Sequence, residues 1–297
     1  MATVTQRMAR GSPLLEFLSA PLQYPFMLRA MVAACIIGAL CSFIGTFVVL
    51  RRISFIGDGI AHASFAGIVL AYMRGLDAML GAAVVAILAA LGIQAVHRRG
   101  GVSIDTAIGV IFTGAFALGV FLMSRLHSYS NDLEDMLFGN ILGVSVSDLY
   151  GIALLAALVL FLVWCSFRAL IFLSFDPVVA QASGIRAGLV DQALLVMLAL
   201  TIVVSLRAVG IVLVAALLVT PAATAALVAK RFGNMLLYSV VIGVLCAVGG
   251  LYASYYLQAA SGATIVLATT VTFGITFVVV QIQKYVLHRA LREESAR

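Results

Sequence analysis

Charge is scarce in this chain. Of its 297 residues only 10% are charged and 64% are hydrophobic, against about 25% charged in ordinary soluble domains. With a mean hydropathy of +1.17, a soluble core cannot absorb the apolar surface. Lysine is rarer still, confined to Lys230 and Lys284, and no GxxxxGK[ST] loop is present. A Walker-type nucleotide site is thereby excluded, and any ATP used must be hydrolysed by another polypeptide. The four cysteines, Cys35, Cys41, Cys165 and Cys246, lie inside apolar runs without CxxC spacing, so neither a disulfide framework nor a thiolate metal site is indicated, and they read as small buried hydrophobes. A secretory signal pattern is lacking too, because Pro13, Glu16 and Pro21 interrupt the stretch after Arg7 and Arg10; the first long apolar run is expected to be retained. The net charge of +6 does not argue for nucleic acid, since the basic residues stand singly or in pairs at span ends.

What fills the chain is apolar sequence in runs of about 20 residues, each able to cross roughly 30 Å of hydrocarbon as a helix with its backbone bonds satisfied internally. Hydropathy windows predict spans at 26–50, 53–73, 78–96, 104–123, 149–173, 189–206, 208–228, 235–257 and 264–287. The expected fold class is an all-α membrane protein, a polytopic bundle of about nine transmembrane helices (eight to nine) with a short cytoplasmic helix. One transmembrane domain, 26–287, follows an extracytoplasmic or interfacial segment, 1–25, and precedes a cytoplasmic tail, 288–297. If the first span runs inward, the cytoplasmic side holds Arg51, Arg52, Arg98, Arg99, Arg168, Arg186, Lys230, Arg231, Lys284, Arg289, Arg292 and Arg297. Arg7, Arg10, Arg29, Arg74, Arg125 and Arg207 stay outside. Twelve against six favours an outside N-terminus and a cytoplasmic C-terminus. Arg7 and Arg10 fit that orientation poorly, so the opposite N-terminal side with one span more or fewer stays open. Small residues recur along the spans, as at Gly109, Gly114 and Gly119 or Gly243, Gly249 and Gly250, and suit close helix packing in lipid.

Three segments differ from the spans. The outer loop 124–148 carries Asp132, Glu134, Asp135 and Asp148, with the apolar stretch 136–142 between them; it reads as a short interfacial or re-entrant helix, or as a solvated loop with one amphipathic turn. In the cytoplasmic link 175–186, Asp176 is a natural N-cap, Pro177 suits the first helical position and Gly184 is a terminator. A helix of two to three turns is expected there, with Val178, Val179 and Ala182 as an apolar stripe fit for a membrane surface or a partner's groove. Thr220-Pro221 puts a proline inside the seventh span, removing an amide donor and freeing the carbonyl of Leu217. A kink is expected, with a role in gating or in packing alone.

The sharpest chemical signal is Asp58 and His62 in the second span. Counting 1.5 Å per residue from Arg52, Asp58 lies about 9 Å and His62 about 15 Å along the helix, close to mid-membrane. Four residues apart, they share a face. An aspartate at that depth costs about 2.5–3.5 kcal/mol on insertion scales and should face a cavity or partner. Carboxylate and imidazole together suit manganese, iron or zinc, and a symmetric pair of chains would double the two ligands. A proton relay or a structural Asp–His pair satisfies the same spacing.

Four stretches, taken together, resemble a known family. They are Phe47 to Arg52 leading into Gly57-Asp58 and His62-Ala63-Ser64; Leu137 to Ser145; Phe175-Asp176-Pro177 with Ala180 and Ala182 to Ile185; and Val209-Gly210-Ile211 with Ala215 to Ala223. In this order they are similar to the ABC-3 family, the permeases of manganese, zinc and iron ABC importers, over roughly residues 22–287. The resemblance implies a homodimeric permease in the bacterial inner membrane. It also implies two cytoplasmic ATPase subunits as partners, an extracytoplasmic binding protein that delivers the metal, and no cofactor beyond the transported ion and ATP on the partner. It further implies that Asp176 to Gly184 form the coupling helix and that Asp58 and His62 lie on the metal pathway. The extra loop histidines of some zinc members are missing: His97 and His288 lie at helix ends, and His127 is alone in the outer loop. Manganese and zinc both stay open.

Rival functions are an ion-coupled secondary transporter with Asp58 and His62 as proton relay, a siderophore or cobalamin permease, and an intramembrane aspartyl protease. The protease needs two facing carboxylates, for which Asp191, at a helix start, is the only second candidate near a span.

Overall fold

The computed structural model describes residues 20–125 and 141–295. The N-terminal segment through residue 19 and the acidic stretch of the outer loop, with His127, Asp132, Glu134 and Asp135, lie outside the described residues. In chain order the helices are α1 (Pro25–Leu50), α2 (Ile56–Arg74), α3 (Ala78–Gly100), α4 (Ile104–Met123), α5 (Val146–Phe175), α6 (Pro177–Ala182), α7 (Ala187–Leu206), α8 (Ala208–Val228), α9 (Phe232–Leu257) and α10 (Ser261–Ser295). Among the described residues, every helix but α6 is long and apolar enough to cross a membrane.

Local chemistry sets the helix ends. Pro25 opens α1, where its missing amide is no loss. Asp77 caps α3 by accepting from the amides of Met79 and Leu80 at 2.9 and 3.0 Å, and Ser103 caps α4 through the amide of Thr106 at 3.1 Å. Ser145 and Asp148 form a capping box that starts α5 three residues before the expected boundary. The link from α1 to α2 is a Schellman turn: the amide of Ile53 reaches Val48 O and that of Arg52 reaches Val49 O, both at 3.1 Å. Arg52 takes the left-handed position, φ 58°.

That turn corrects the expected place of Asp58 along its helix. Helix α2 begins at Ile56 rather than at 53, so Asp58 lies in its first turn. His62 is about 9 Å from the helix start, a third of the way along rather than at the middle.

Helices α1 and α2 form the core of the bundle, with 67% and 72% of their apolar windows buried, while α4 and α10 are the periphery at 17% each. Lipid offers no hydrophobic drive for helix association, so close approach depends on small residues. A Cβ on Gly45 of α1 would strike the Leu218 carbonyl of α8, and one on Gly67 of α2 would strike the Gly81 carbonyl of α3. Ser239 of α9 donates its hydroxyl to Ser42 O of α1 at 2.8 Å.

Contacts with α1 reveal a reversal between α7 and α8. Asp191 meets Arg51, Ser205 meets Cys41 at 3.4 Å, and Ser42 donates to Leu217 O at 3.3 Å. In one continuous helix Ser205 and Leu217 would stand about 18 Å apart, yet they reach adjacent residues of α1. The chain doubles back at Gly210, whose φ of 75° and ψ of 168° belong to a region essentially reserved for glycine. Backbone angles remain helical through Pro221, and the carbonyl that the proline frees, Leu217 O, is the one Ser42 satisfies.

Candidate functional site

Asp58 and His62 face each other within α2, as their spacing predicts. Nδ1 of His62 lies 3.0 Å from the main-chain oxygen of Asp58 and 3.3 Å from its Oδ1. If that nitrogen carries the ring proton, both oxygens accept it and Nε2 keeps a free lone pair. The arrangement matches carboxylate–histidine pairs that fix an imidazole for metal ligation. The first turn of a helix, with exposed amides, favours an acidic side chain such as Asp58.

The pair sits against α4. The His62 ring meets Phe112 and Phe116 edge to face, with centroids 5.2 and 5.6 Å away, and Gly59 leaves room for Ile108 and Phe112. On the other flank Gly57 accommodates the Leu218 side chain of α8, three residues before Pro221. The imidazole is thus clasped by two phenyl rings while Asp58 remains open, its side chain 44% exposed against 26% for His62. Among the described residues no third histidine, cysteine or carboxylate joins them.

The expected docking segment forms as α6, but shorter than two turns. Asp176 Oδ1 accepts from the amides of Val178 and Val179, both at 3.0 Å. Six residues later the helix ends, because Gly184 turns left-handed at φ 80° and the Ile185 amide returns to Ala180 O at 3.1 Å. Ala180 is buried; Val178 (75%), Val179 and Ala182 are exposed.

Asp191 is not a partner for Asp58. Its Oδ1 accepts from Arg51 Nη1 at 2.6 Å and its Oδ2 from Arg98 Nη2 at 3.0 Å, while Arg51 Nε donates to Ser174 Oγ at 3.1 Å. Each carboxylate has its own partners, and the two-aspartate geometry of a protease is not formed. Burial pulls the Arg51 guanidinium below its ordinary value and Asp191 pushes it back. This joint ties the ends of α1, α3, α5 and α7 together. Sequence reasoning treated Arg51 and Arg98 as topology markers and missed Phe112 and Phe116, while the break it expected between spans 189–206 and 208–228 falls at Gly210.

The sequence profile of the ABC 3 transport family matches residues 23–280. The chain belongs to that family. As an ABC 3 family member it is a multi-pass membrane permease, and its relatives agree along nearly the whole length. The manganese transport system membrane protein MntC of Listeria innocua is 41% identical over 261 residues, 88% of this chain and 93% of the relative. The manganese import system permease protein ScaB of Streptococcus parasanguinis is 38% identical over 269 residues, 91% and 96% of the two chains. Among solved structures, PsaBC from Streptococcus pneumoniae in complex with Fab superimposes with a TM-score of 0.79 at 36% identity, covering 89% of this chain and 95% of the other.

Proposed function

We propose that this ABC 3 family permease imports manganese, with Asp58 and His62 as the ligands at which the ion pauses on its way through the bundle. The observation that carries the reading is the Asp58–His62 pair, held at 3.3 Å with the carboxylate half open and the ring between Phe112 and Phe116. A carboxylate neutralises charge, and an imidazole nitrogen disfavours the hard, abundant calcium and magnesium ions. The names of the two relatives support manganese over zinc and iron. Two groups make a weak, open site, which suits a pathway that must release what it binds. A second copy of the chain would bring its own Asp58 and His62, and the exposed small residues Gly109, Thr113 and Gly114 of α4, beside the pair, allow a close approach.

In this reading energy comes from a separate ATPase. The apolar, exposed Val178 and Val179 of α6 are the surface it grips, Asp176, Pro177 and Gly184 set the helix that presents them, and Thr220-Pro221 lines the moving side of the path. An extracytoplasmic binding protein delivers the ion at the opposite end. The test is uptake of radiolabelled manganese by the permease reconstituted with its neighbouring ATPase and binding protein. ATP-dependent uptake, competed by unlabelled manganese more strongly than by zinc or iron, is expected; equal or stronger competition by zinc would transfer the assignment to zinc. Val179→Asp should strip the ATPase from the purified permease, because a charge would have to be desolvated at the docking surface; undiminished co-purification would remove α6 from that role.

A further inference from the structure

Arg51 follows α1 directly and opens the Schellman turn into α2. Its side chain is largely buried, 12% exposed, and its donors reach both flanks of α6. Nε donates to Ser174 Oγ, two residues before the N-cap Asp176, and Nη1 donates to Asp191 Oδ1, near the start of α7. One side chain thus holds the entry and the exit of the α5–α6–α7 connection against the α1–α2 turn. Apart from the burial of Ala180, the carbonyl and amide groups of α6 close on themselves and its valines face outward.

The turn on the other side of Arg51 is stiff. Two backbone hydrogen bonds lock Arg52 and Ile53 onto the last turn of α1, and the amide of Ile56 reaches Ile53 O at 3.0 Å. Asp58 comes two residues later. A displacement of Arg51 therefore reaches the first turn of α2 without passing through any loose segment. Room for such a displacement exists. A cavity of about 290 Å³ lies beside the guanidinium, lined also by Gln94, His97, Arg98 and Asp191. Arg51 Nη2 and Gln94 Oε1 are both buried without a protein partner, so Gln94 offers an acceptor as the guanidinium swings.

We propose that Arg51 is the positioning residue that carries movement of α6 through the α1–α2 turn to Asp58 and His62. The proposal rests on the reading of α6 as the ATPase docking helix. Lysine cannot replace arginine here: it keeps the charge, but one ammonium cannot reproduce the planar fork that joins Ser174 to Asp191.

The experiment uses the reconstituted permease–ATPase complex with its binding protein and reads manganese transported per ATP hydrolysed, alongside manganese binding by the complex at equilibrium. Arg51→Lys should assemble with the ATPase, bind manganese within twofold of wild type and hydrolyse ATP, yet transport at least fivefold fewer ions per ATP. Ser174→Ala, which removes one hydroxyl and leaves the ion pair, should lower the same ratio by a smaller factor. An unchanged ratio in both variants, or a ratio unchanged while uptake and hydrolysis fall in parallel, overturns the proposal. If Arg51→Lys does not assemble, Ser174→Ala decides alone. Failure of the underlying reading looks different: Val179→Asp would then retain the ATPase, whatever the Arg51 variants do.

Discussion

Asp58 and Asp191 are both carboxylates built into membrane helices, and their surroundings differ in kind. Asp191 has each oxygen held by a guanidinium, at 2.6 and 3.0 Å, and those arginines come from two other elements. Among the described residues Asp58 has one side-chain partner, the histidine one turn along its own helix, and it remains the more exposed of the two carboxylates. A carboxylate neutralised by two cations has no capacity left for a metal and can act only as a joint. One whose partner is a single imidazole on its own helix keeps most of its lone pairs for an arriving cation.

The difference breaks most sharply at Asp58. Asp58→Asn removes the negative charge while keeping the shape, and manganese uptake should fall by more than about 100-fold, beyond the usual loss for an outer-shell metal partner. Uptake in vesicles checks this, and a wild-type rate would make the pair structural. His62→Ala should cost about 10- to 100-fold in uptake. It should also flatten the pH response. Only the neutral ring ligates, so acidification weakens wild-type transport by protonating it, and the variant has no such proton to gain. A pH titration of uptake in both proteins tests the sign.

At the joint the effect should appear as stability and coupling rather than as manganese affinity. Asp191→Asn weakens two charge-assisted hydrogen bonds, each worth about 1.5–3 kcal/mol, so thermal unfolding in detergent should shift down while manganese binding by the Asp58–His62 pair persists. Asp176→Ala should cost about 1 kcal/mol of helix capping and fray α6, reducing ATPase co-purification without altering permease unfolding. The smallest effect is expected at Pro221→Ala. Leu217 O already has Ser42 as donor and the backbone is already helical there, so membrane insertion should be unchanged and any difference confined to the transport rate.

How much of this was legible in advance depended on the range of the interaction. The pairing of Asp58 with His62 and the cap at Asp176 are contacts within four residues, and helical periodicity brings them together wherever the helix sits. The joint of Arg51 with Asp191 spans 140 positions, and no local pattern announces it. The length of α6 was overestimated because Gly184 acts through the Ile185–Ala180 bond, which pulls the end inward. The start of α2 was set three residues too early because an arginine, not a glycine, occupies the left-handed position of the α1–α2 turn.

By itself, then, the sequence determined that the chain lives in a bilayer, where its spans lie to within about four residues, and which two ionisable groups share a turn of α2. Each follows from hydropathy or from backbone geometry, and both are summed over neighbours in the chain. Which faces meet was decided only in the tertiary structure. Spans that are apolar on every side carry no polar stripe to orient them, so the rings that clasp His62 and the arginines that neutralise Asp191 emerge from packing small residues and pairing charges between distant helices.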